Sequence, residues 1–164
     1  MSPTNSSASL PRRTFVKSAT AAGVGIMMSK TSPAFALGGP NDRVVVGVMG
    51  LNGRGIALAR SFARVPNVEV AYLCDVDSKV LARSTTSLAT VQQKAANGVA
   101  DFRRMLDDKG VDAIVIAAPD HWHAPAAILA MNAGKHVYVE KPCGHNPHEG
   151  ELIVQAQRAH QRVV

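Results

Sequence analysis

Residues 44–55 read VVVGVMGLNGRG, an apolar run that leads directly into a turn crowded with glycine. The apolar run predicts a buried β-strand, and apolar positions at helical spacing after the turn predict a helix over residues 53–64. A strand, a glycine turn and a helix in this order can bind a dinucleotide. The turn lets the backbone approach the diphosphate, and the N-terminus of the helix offers free N–H groups. We therefore predict a dinucleotide site at this turn.

The glycine turn differs from the usual dinucleotide fingerprint at its middle position, where asparagine replaces glycine. Gly50, Asn52 and Gly55 occupy the three fingerprint positions. Glycine-rich turns also form for purely structural reasons, so the turn alone is a weak signal. The residues predicted to contact the cofactor here are Gly50, Asn52, Gly53, Arg54 and Gly55.

An aspartate at the end of the next predicted strand strengthens this prediction. Residues 68–74 read VEVAYLC, and Asp75 follows them. At this position a carboxylate accepts hydrogen bonds from ribose hydroxyls, and it would repel the 2′-phosphate of NADP. Asp75 therefore predicts NAD as the cofactor, while the positive charge of Arg54 leaves NADP open. The alternative interpretation is a structural turn followed by an exposed aspartate.

Strands and helices alternate along the rest of the chain, as in a parallel α/β sheet. The predicted fold class is α/β, a Rossmann-type doubly wound parallel sheet with the strand order 3-2-1-4-5. The predicted strands cover residues 43–49, 68–74, 98–100, 111–118 and 136–140. The predicted helices cover residues 53–64, 77–95, 102–106, 124–132 and 147–160. Residues 161–164 predict the start of a sixth strand, at which the sheet is truncated.

The first 36 residues are typical of an export signal. The sequence RRTFVK at residues 12–17 resembles the twin-arginine motif, and an uncharged, mildly apolar run follows at residues 18–28. Ala-Phe-Ala at residues 34–36 is an A-x-A cleavage pattern. We expect cleavage there, a short linker at residues 37–42, and a periplasmic protein exported in the folded state by the twin-arginine route. No stable membrane insertion is expected after cleavage; an uncleaved N-terminal anchor is the alternative.

The charge of the chain changes when this signal is set aside. Of 18 basic and 12 acidic residues, four basic ones and no acidic one lie in the signal, so the net charge falls from +6 to +2. Aromatic residues make up only 4% of the chain and do not alternate with basic clusters. These features argue against a nucleic-acid partner.

Two cysteines and a pair of nearby histidines raise the question of a disulfide and of a metal site. In the predicted strand order, Cys74 and Cys143 follow strands separated by three strand spacings, about 14 Å. A disulfide needs Cα atoms within about 7 Å, so both are predicted to be free thiols. His121 and His123 have no third ligand at a suitable spacing, so no metal site is predicted.

The motifs that follow the later strands give a family resemblance. Residues 118–123 read APDHWH after the fourth predicted strand, and residues 140–142 read EKP after the fifth. Together with the glycine turn and Asp75, they resemble the N-terminal domain of the Gfo/Idh/MocA oxidoreductases, including exported members. The resemblance covers nearly all of residues 43–160, and it implies that residues 43–164 form an NAD(P)-binding domain.

The resemblance also implies roles for particular residues. Lys141 would be the catalytic lysine beside the nicotinamide and the reacting hydroxyl; a surface lysine is the alternative. Pro119 and Asp120 would lie along the cofactor. His123 would lie near the nicotinamide, or else cap the next helix. Glu140 would contribute to the cofactor site, orienting Lys141 or packing locally, and the Pro142 peptide bond could be cis.

Members of this family continue into a second domain, which supplies the substrate pocket, the subunit contacts of a homo-oligomer and a histidine that moves the hydroxyl proton. We therefore expect an exported oxidoreductase that acts on a sugar or polyol, with residues 43–164 inactive alone. One alternative is an NAD-dependent glycoside hydrolase of the same family, which regenerates its cofactor in each turnover. The other is a non-catalytic dinucleotide-binding module.

Overall fold

The computed structural model describes residues 43–164. The predicted signal peptide at residues 1–36 and the predicted linker at residues 37–42 lie outside the described residues. Within the described part, no helix has the length and apolar character needed to cross a membrane.

Five parallel strands form one sheet in the order β3-β2-β1-β4-β5, which confirms the predicted doubly wound topology. The strands are β1 (Val44–Met49), β2 (Val68–Cys74), β3 (Asn97–Val99), β4 (Ala113–Ile116) and β5 (His136–Val139). The helices are α1 (Arg54–Phe62), α2 (Ser78–Ala89), α3 (Arg103–Asp107), α4 (His123–Asn132) and α5 (Pro147–His160). A 3-10 turn, Asp120–Trp122, precedes α4.

The two faces of the sheet carry different helices, and each face has its own hydrophobic core. Leu58 of α1 and Leu88 of α2 pack on one face with Val48 and Val70 of the strands. The other core is formed by residues of α3, α4 and α5 packed on the sheet: Met105, Ala127, Met131, Ile153 and Ile114. The connections after β1 and β4 therefore leave the sheet toward opposite faces. In an open parallel sheet this opens a crevice at the carboxyl ends of the strands, where ligands bind.

Polar side chains cap the starts of two helices. The Asp77 side chain accepts hydrogen bonds from the backbone N–H groups of Lys79 and Val80 at the start of α2. Asn146 accepts from the N–H of Glu149, with Pro147 as the first residue of α5. These polar side chains occupy donors that have no partner within the helix.

The predicted helix over residues 77–95 is too long, because α2 ends at Ala89. The Gln92 side chain leaves the helical path and binds both the backbone N–H and the carbonyl of Val70, at 2.9 Å each. The fourth strand is likewise shorter than predicted and covers only Ala113–Ile116.

The predicted sixth strand is absent from residues 161–164. Gln161 ends α5 in a left-handed conformation with φ of 51°, which turns the chain away from the helix. Val163 then meets β5, where its carbonyl accepts from the N–H of Val137 at 2.9 Å and its own N–H donates to Nδ1 of His136. One backbone hydrogen bond does not make a strand ladder.

Candidate cofactor site

The glycine turn between β1 and α1 is shaped by close backbone contacts. A Cβ atom on Gly50 would lie 2.5 Å from the backbone nitrogen of Ala118, and one on Gly55 would lie 1.6 Å from the Gly50 carbonyl oxygen. Any side chain at these two positions would push the turn away from β4 or break the start of α1. The turn therefore requires glycine at both positions for packing.

Gly53 differs from its neighbours, because a Cβ atom there would meet no atom of residues 43–164 within 4 Å. Among the residues that the structure describes, no side chain caps α1, whose first residue is Arg54. The N-terminus of α1 thus faces open space with its first N–H groups uncapped. A diphosphate fits this arrangement, since it supplies the negative charge and acceptor oxygens that an uncapped helix N-terminus lacks.

Asp75 binds the glycine turn directly. Its Oδ2 accepts a hydrogen bond of 2.8 Å from the N–H of Leu51, and its Oδ1 accepts one of 3.0 Å from the N–H of Asp77. Each carboxylate oxygen can accept a further hydrogen bond. Asp75 can therefore hold the turn and still accept from ribose hydroxyls.

Asn52, which replaces the middle glycine of the fingerprint, is hydrogen-bonded by Arg83, a residue that the sequence did not indicate as part of the site. A terminal nitrogen of Arg83 on α2 donates to Oδ1 of Asn52 at 2.6 Å. Helical periodicity alone does not pair these residues, because they lie on different elements. The contact brings a guanidinium to the glycine turn.

Arg54 and Glu140 form an ion pair that joins the start of α1 to the loop after β5. Nε of Arg54 lies 2.7 Å from Oε1 of Glu140, whose side chain is only 12% exposed. This hydrogen bond raises the pKa of Arg54 and lowers the pKa of Glu140. Oε2 of Glu140 also accepts from the backbone N–H of Lys141 at 3.3 Å. Glu140 therefore connects the glycine turn to the predicted catalytic lysine.

His123 is buried and ties together the loops after β4 and β5. It is 2% exposed, with Nε2 at 2.8 Å from the Ala118 carbonyl oxygen and Nδ1 at 2.5 Å from that of Pro142. Because a neutral imidazole donates through one ring nitrogen only, the tautomer of His123 decides which of these two oxygens receives the hydrogen bond. The contact of His123 with a nicotinamide stays a prediction.

The exposed Lys141 follows Glu140, and the Lys141–Pro142 peptide bond is cis, as the sequence analysis had suggested. With Glu140 tied to Arg54 and Pro142 tied to His123, the residues on both sides of Lys141 are held against the carboxyl edge of the sheet.

Asp120 lies at the start of the 3-10 turn after β4 and contacts a histidine from the next loop. Its Oδ2 is 3.2 Å from Nδ1 of His145, and its Oδ1 is 3.8 Å from Nδ1 of His121. The hydrogen bond from His145 is the main cause that lowers the pKa of Asp120. Nothing in the spacing of His145 along the sequence indicates this partner.

A cavity of about 620 Å³ opens beside the glycine turn, within the size range of small-molecule sites. Its lining is mainly apolar and includes Asp75, Val76, Phe102, Pro119 and Trp122. The rings of Phe102 and Trp122 meet edge to face, with centroids 6.3 Å apart. An aromatic base attached to a ribose fits this lining, with Asp75 available for the sugar.

Residues 43–164 contain neither a disulfide nor a cluster of candidate metal ligands. No group of three or more histidine, cysteine or acidic side chains in this range could hold a metal ion. Cys74 and Cys143 are both free thiols. Burial raises the pKa of Cys74 to about 12, which keeps this thiol protonated at neutral pH.

Comparison with known proteins agrees with this geometry. The model of a family described as "Oxidoreductase family, NAD-binding Rossmann fold" matches residues 44–164. The chain belongs to the Gfo/Idh/MocA family. It is therefore an NAD-binding Rossmann domain of an oxidoreductase family, as the motifs predicted.

Similar proteins include one named as a glycosyl hydrolase and two that were solved in complex with NAD or NADH. A glycosyl hydrolase family 109 protein from Saccharopolyspora erythraea is 30% identical over 153 residues, which cover 81% of this chain and 33% of that protein. GenD2 from gentamicin A biosynthesis, solved in complex with NAD, has 25% identity and a TM-score of 0.68 over 74% of this chain and 33% of its own. Levoglucosan dehydrogenase, solved with NADH and levoglucosan, has 25% identity and a TM-score of 0.66, and the match covers 74% of this chain and 34% of that protein. This chain spans about a third of the length of the relatives it matches.

Within the Gfo/Idh/MocA domain, the predicted site residues lie in the loops that follow the carboxyl ends of the strands, or in the first residues of the helices after those loops. Those after β1 are Gly50, Asn52, Gly53, Arg54 and Gly55, and Asp75 follows β2. Pro119, Asp120 and His123 follow β4, and Glu140 and Lys141 follow β5. Their individual contacts with NAD and substrate stay predictions.

Proposed function

We propose that the chain is the cofactor-binding part of an enzyme that transfers hydride between NAD and a hydroxyl-bearing carbon of a sugar or polyol. The observation that carries this proposal is the placement of Lys141. The Arg54–Glu140 ion pair and the contact between His123 and Pro142 attach its loop to the glycine turn and to the end of β4. Levoglucosan dehydrogenase, which was solved with NADH and levoglucosan, supports this substrate class.

The residues of the chain would act in distinct ways. The uncapped start of α1 would bind the diphosphate, and Asp75 would bind the adenosine ribose. The ammonium of Lys141 would stabilise the negative charge that develops on the substrate oxygen, a preorganised interaction whose loss commonly costs about 3 to 4 kcal/mol. When bound, NAD supplies the hydride acceptor.

We also propose that residues outside 43–164 complete the substrate pocket and form the subunit contacts of a homo-oligomer. The matched relatives are about three times longer than the aligned segment. Residues 43–164 would then bind the cofactor but would not turn over substrate alone.

A glycoside hydrolase that works by transient oxidation is the second candidate. It is favoured by the similarity to a glycosyl hydrolase family 109 protein. The two candidates differ in net redox change, because a hydrolase regenerates its cofactor in each cycle. Sustained glycoside cleavage by full-length protein with one equivalent of NAD, without accumulation of NADH, would favour the hydrolase.

Replacement of Lys141 by alanine tests the proposed function. In full-length protein, Lys141→Ala should lower kcat by at least about 100-fold, while the Kd for NAD changes little, because the ammonium acts on the reacting oxygen. Steady-state kinetics with a panel of sugars and polyols that includes levoglucosan, together with NAD titration, measures both quantities. Lys109→Ala is the matched control, since Lys109 is exposed and lies beyond α3, away from the glycine turn. Equal fold losses in kcat and in NAD affinity would mean that Lys141 acts mainly in binding the cofactor.

Export to the periplasm remains our proposal from residues 1–36. Replacing Arg12 and Arg13 by lysine should retain the protein in the cytoplasm, as measured by cell fractionation. Unchanged export of that variant would contradict the twin-arginine route.

A further inference from the structure

We propose that Arg83 determines how well the site accepts NADP beside NAD, because its guanidinium binds the 2′-phosphate that only NADP carries. The inference rests on the proposed binding of the adenosine ribose by Asp75. The preference between the two dinucleotides would then depend on two opposite charges, the carboxylate of Asp75 and the guanidinium of Arg83.

Arg83 reaches the glycine turn from the helix that follows Asp75. It lies on α2, and one of its terminal nitrogens donates to Oδ1 of Asn52 at 2.6 Å. The residue before Asn52 is Leu51, whose N–H donates to Oδ2 of Asp75 at 2.8 Å. Adjacent residues of one turn therefore contact the guanidinium and the carboxylate. A ribose bound by Asp75 would lie close to Arg83.

Most of the hydrogen-bonding capacity of Arg83 is unused within the described part of the chain. A guanidinium has five N–H donors in a planar fork that matches the geometry of a phosphate. Within residues 43–164, the bond to Asn52 is the only hydrogen bond of the Arg83 side chain, and no carboxylate forms an ion pair with it. The residue is also exposed. Its other donors can therefore bind phosphate oxygens.

Asn52 adds further donors at the same place. Because arginine has no acceptor, the Asn52 amide must present its oxygen to Arg83. The amide nitrogen of Asn52 then keeps both of its N–H donors, which have no partner among residues 43–164. An anion at this point of the glycine turn would meet donors from both side chains.

Arg54, the cation that the sequence suggested for NADP, is held on the other side of the turn. Its Nε lies 2.7 Å from Oε1 of Glu140, in the loop after β5. In the sheet, β5 and β2 lie on opposite sides of β1, and Asp75 follows β2. The cation on the ribose side of the glycine turn is therefore Arg83.

The first test compares two nucleotides that differ only by the 2′-phosphate, AMP and 2′,5′-ADP. Calorimetric titration of the chain should show that Arg83→Gln lowers the affinity for 2′,5′-ADP about tenfold, as for loss of a hydrogen bond to a charged group. The affinity for AMP should stay within about twofold of the wild type, because AMP lacks the group that Arg83 binds.

Arg158→Gln is the matched control for this test. Arg158 is exposed in the last turn of α5, which packs on the other face of the sheet. This variant should bind both nucleotides as the wild type does. Equal fold losses for AMP and 2′,5′-ADP in Arg83→Gln would overturn the proposal, since they would show that Arg83 only shapes the turn. No loss for either nucleotide would overturn it too.

The second test measures the affinities of the chain for NAD and NADP. Arg83→Gln should widen the preference for NAD about tenfold, whereas Asp75→Ala should narrow it, because the two side chains act on the 2′-phosphate with opposite sign. The effect of Arg83→Gln should shrink at high salt, since exposed charges are screened. A preference that Arg83→Gln leaves unaltered would overturn this proposal alone. A wild-type chain that binds neither dinucleotide would overturn the proposed function as well.

Discussion

The carboxylate of Asp75 accepts from the backbone of the glycine turn through one oxygen and from the N–H of Asp77 through the other. The sequence predicted a ribose acceptor here, because an acid at the end of the second strand has that role in dinucleotide sites. It did not predict the bond to Leu51, since no pattern pairs a side chain with one particular N–H of a turn. The proposed ribose contact of Asp75 would therefore couple the shape of the turn to the choice of cofactor.

Replacement of Asp75 by alanine should weaken NAD binding by about tenfold, as expected for loss of hydrogen bonds to a charged group. The preference for NAD over NADP should narrow, because the negative charge that repels a 2′-phosphate is gone. Calorimetric titration with each dinucleotide measures both effects. Asp107→Ala is the control, since Asp107 is exposed at the end of α3. Unchanged selectivity in Asp75→Ala would contradict the ribose assignment.

At the scale of elements, the strands and the glycine turn were predictable because their signals are local. Apolar runs predicted the strands. Asp77 and Asn146, residue types that favour the N-cap position, precede α2 and α5. The links between loops were not predictable, because they join residues far apart in the chain. Arg54 and Glu140 are 86 residues apart, and Asp120 and His145 are 25 apart. The end of α2 was missed for a similar reason, since Gln92 leaves the helix to bind Val70 on β2.

Replacing the two partners of the ion pair between α1 and the loop after β5 should change the affinity for ADP in opposite directions. Arg54→Gln should weaken ADP binding a few-fold, because a cation beside the uncapped helix start favours the diphosphate. Glu140→Gln should strengthen ADP binding, because it frees the guanidinium from its carboxylate partner. ADP is the suitable probe, since it carries the diphosphate without the nicotinamide half of NAD.

Calorimetry with ADP measures both variants, and Arg64→Gln at the opposite end of α1 is the control. The advantage of wild type over Arg54→Gln should shrink at high salt, since exposed charges are screened. Weaker ADP binding by Glu140→Gln would contradict competition between Glu140 and the diphosphate for Arg54.

For the whole molecule, the sheet order and the two helical faces place every predicted site residue at one edge. The carboxyl ends of β1, β2, β4 and β5 carry the glycine turn, Asp75, Asp120 and Lys141. At the opposite edge, the buried Glu69 forms ion pairs with Arg43 and Lys94. Parallel strands explain this separation, because all loops that follow a strand leave the same edge of the sheet.

The central claim is that NAD binds at the carboxyl edge, with its diphosphate at the glycine turn. An amide-resolved NMR titration of the chain with NAD tests this most directly. Saturable shifts should appear at residues 50–55, at Asp75 and at residues 118–121, with none at the opposite edge around Glu69. Absence of saturable shifts, or shifts centred on Glu69 and Lys94, would contradict the account.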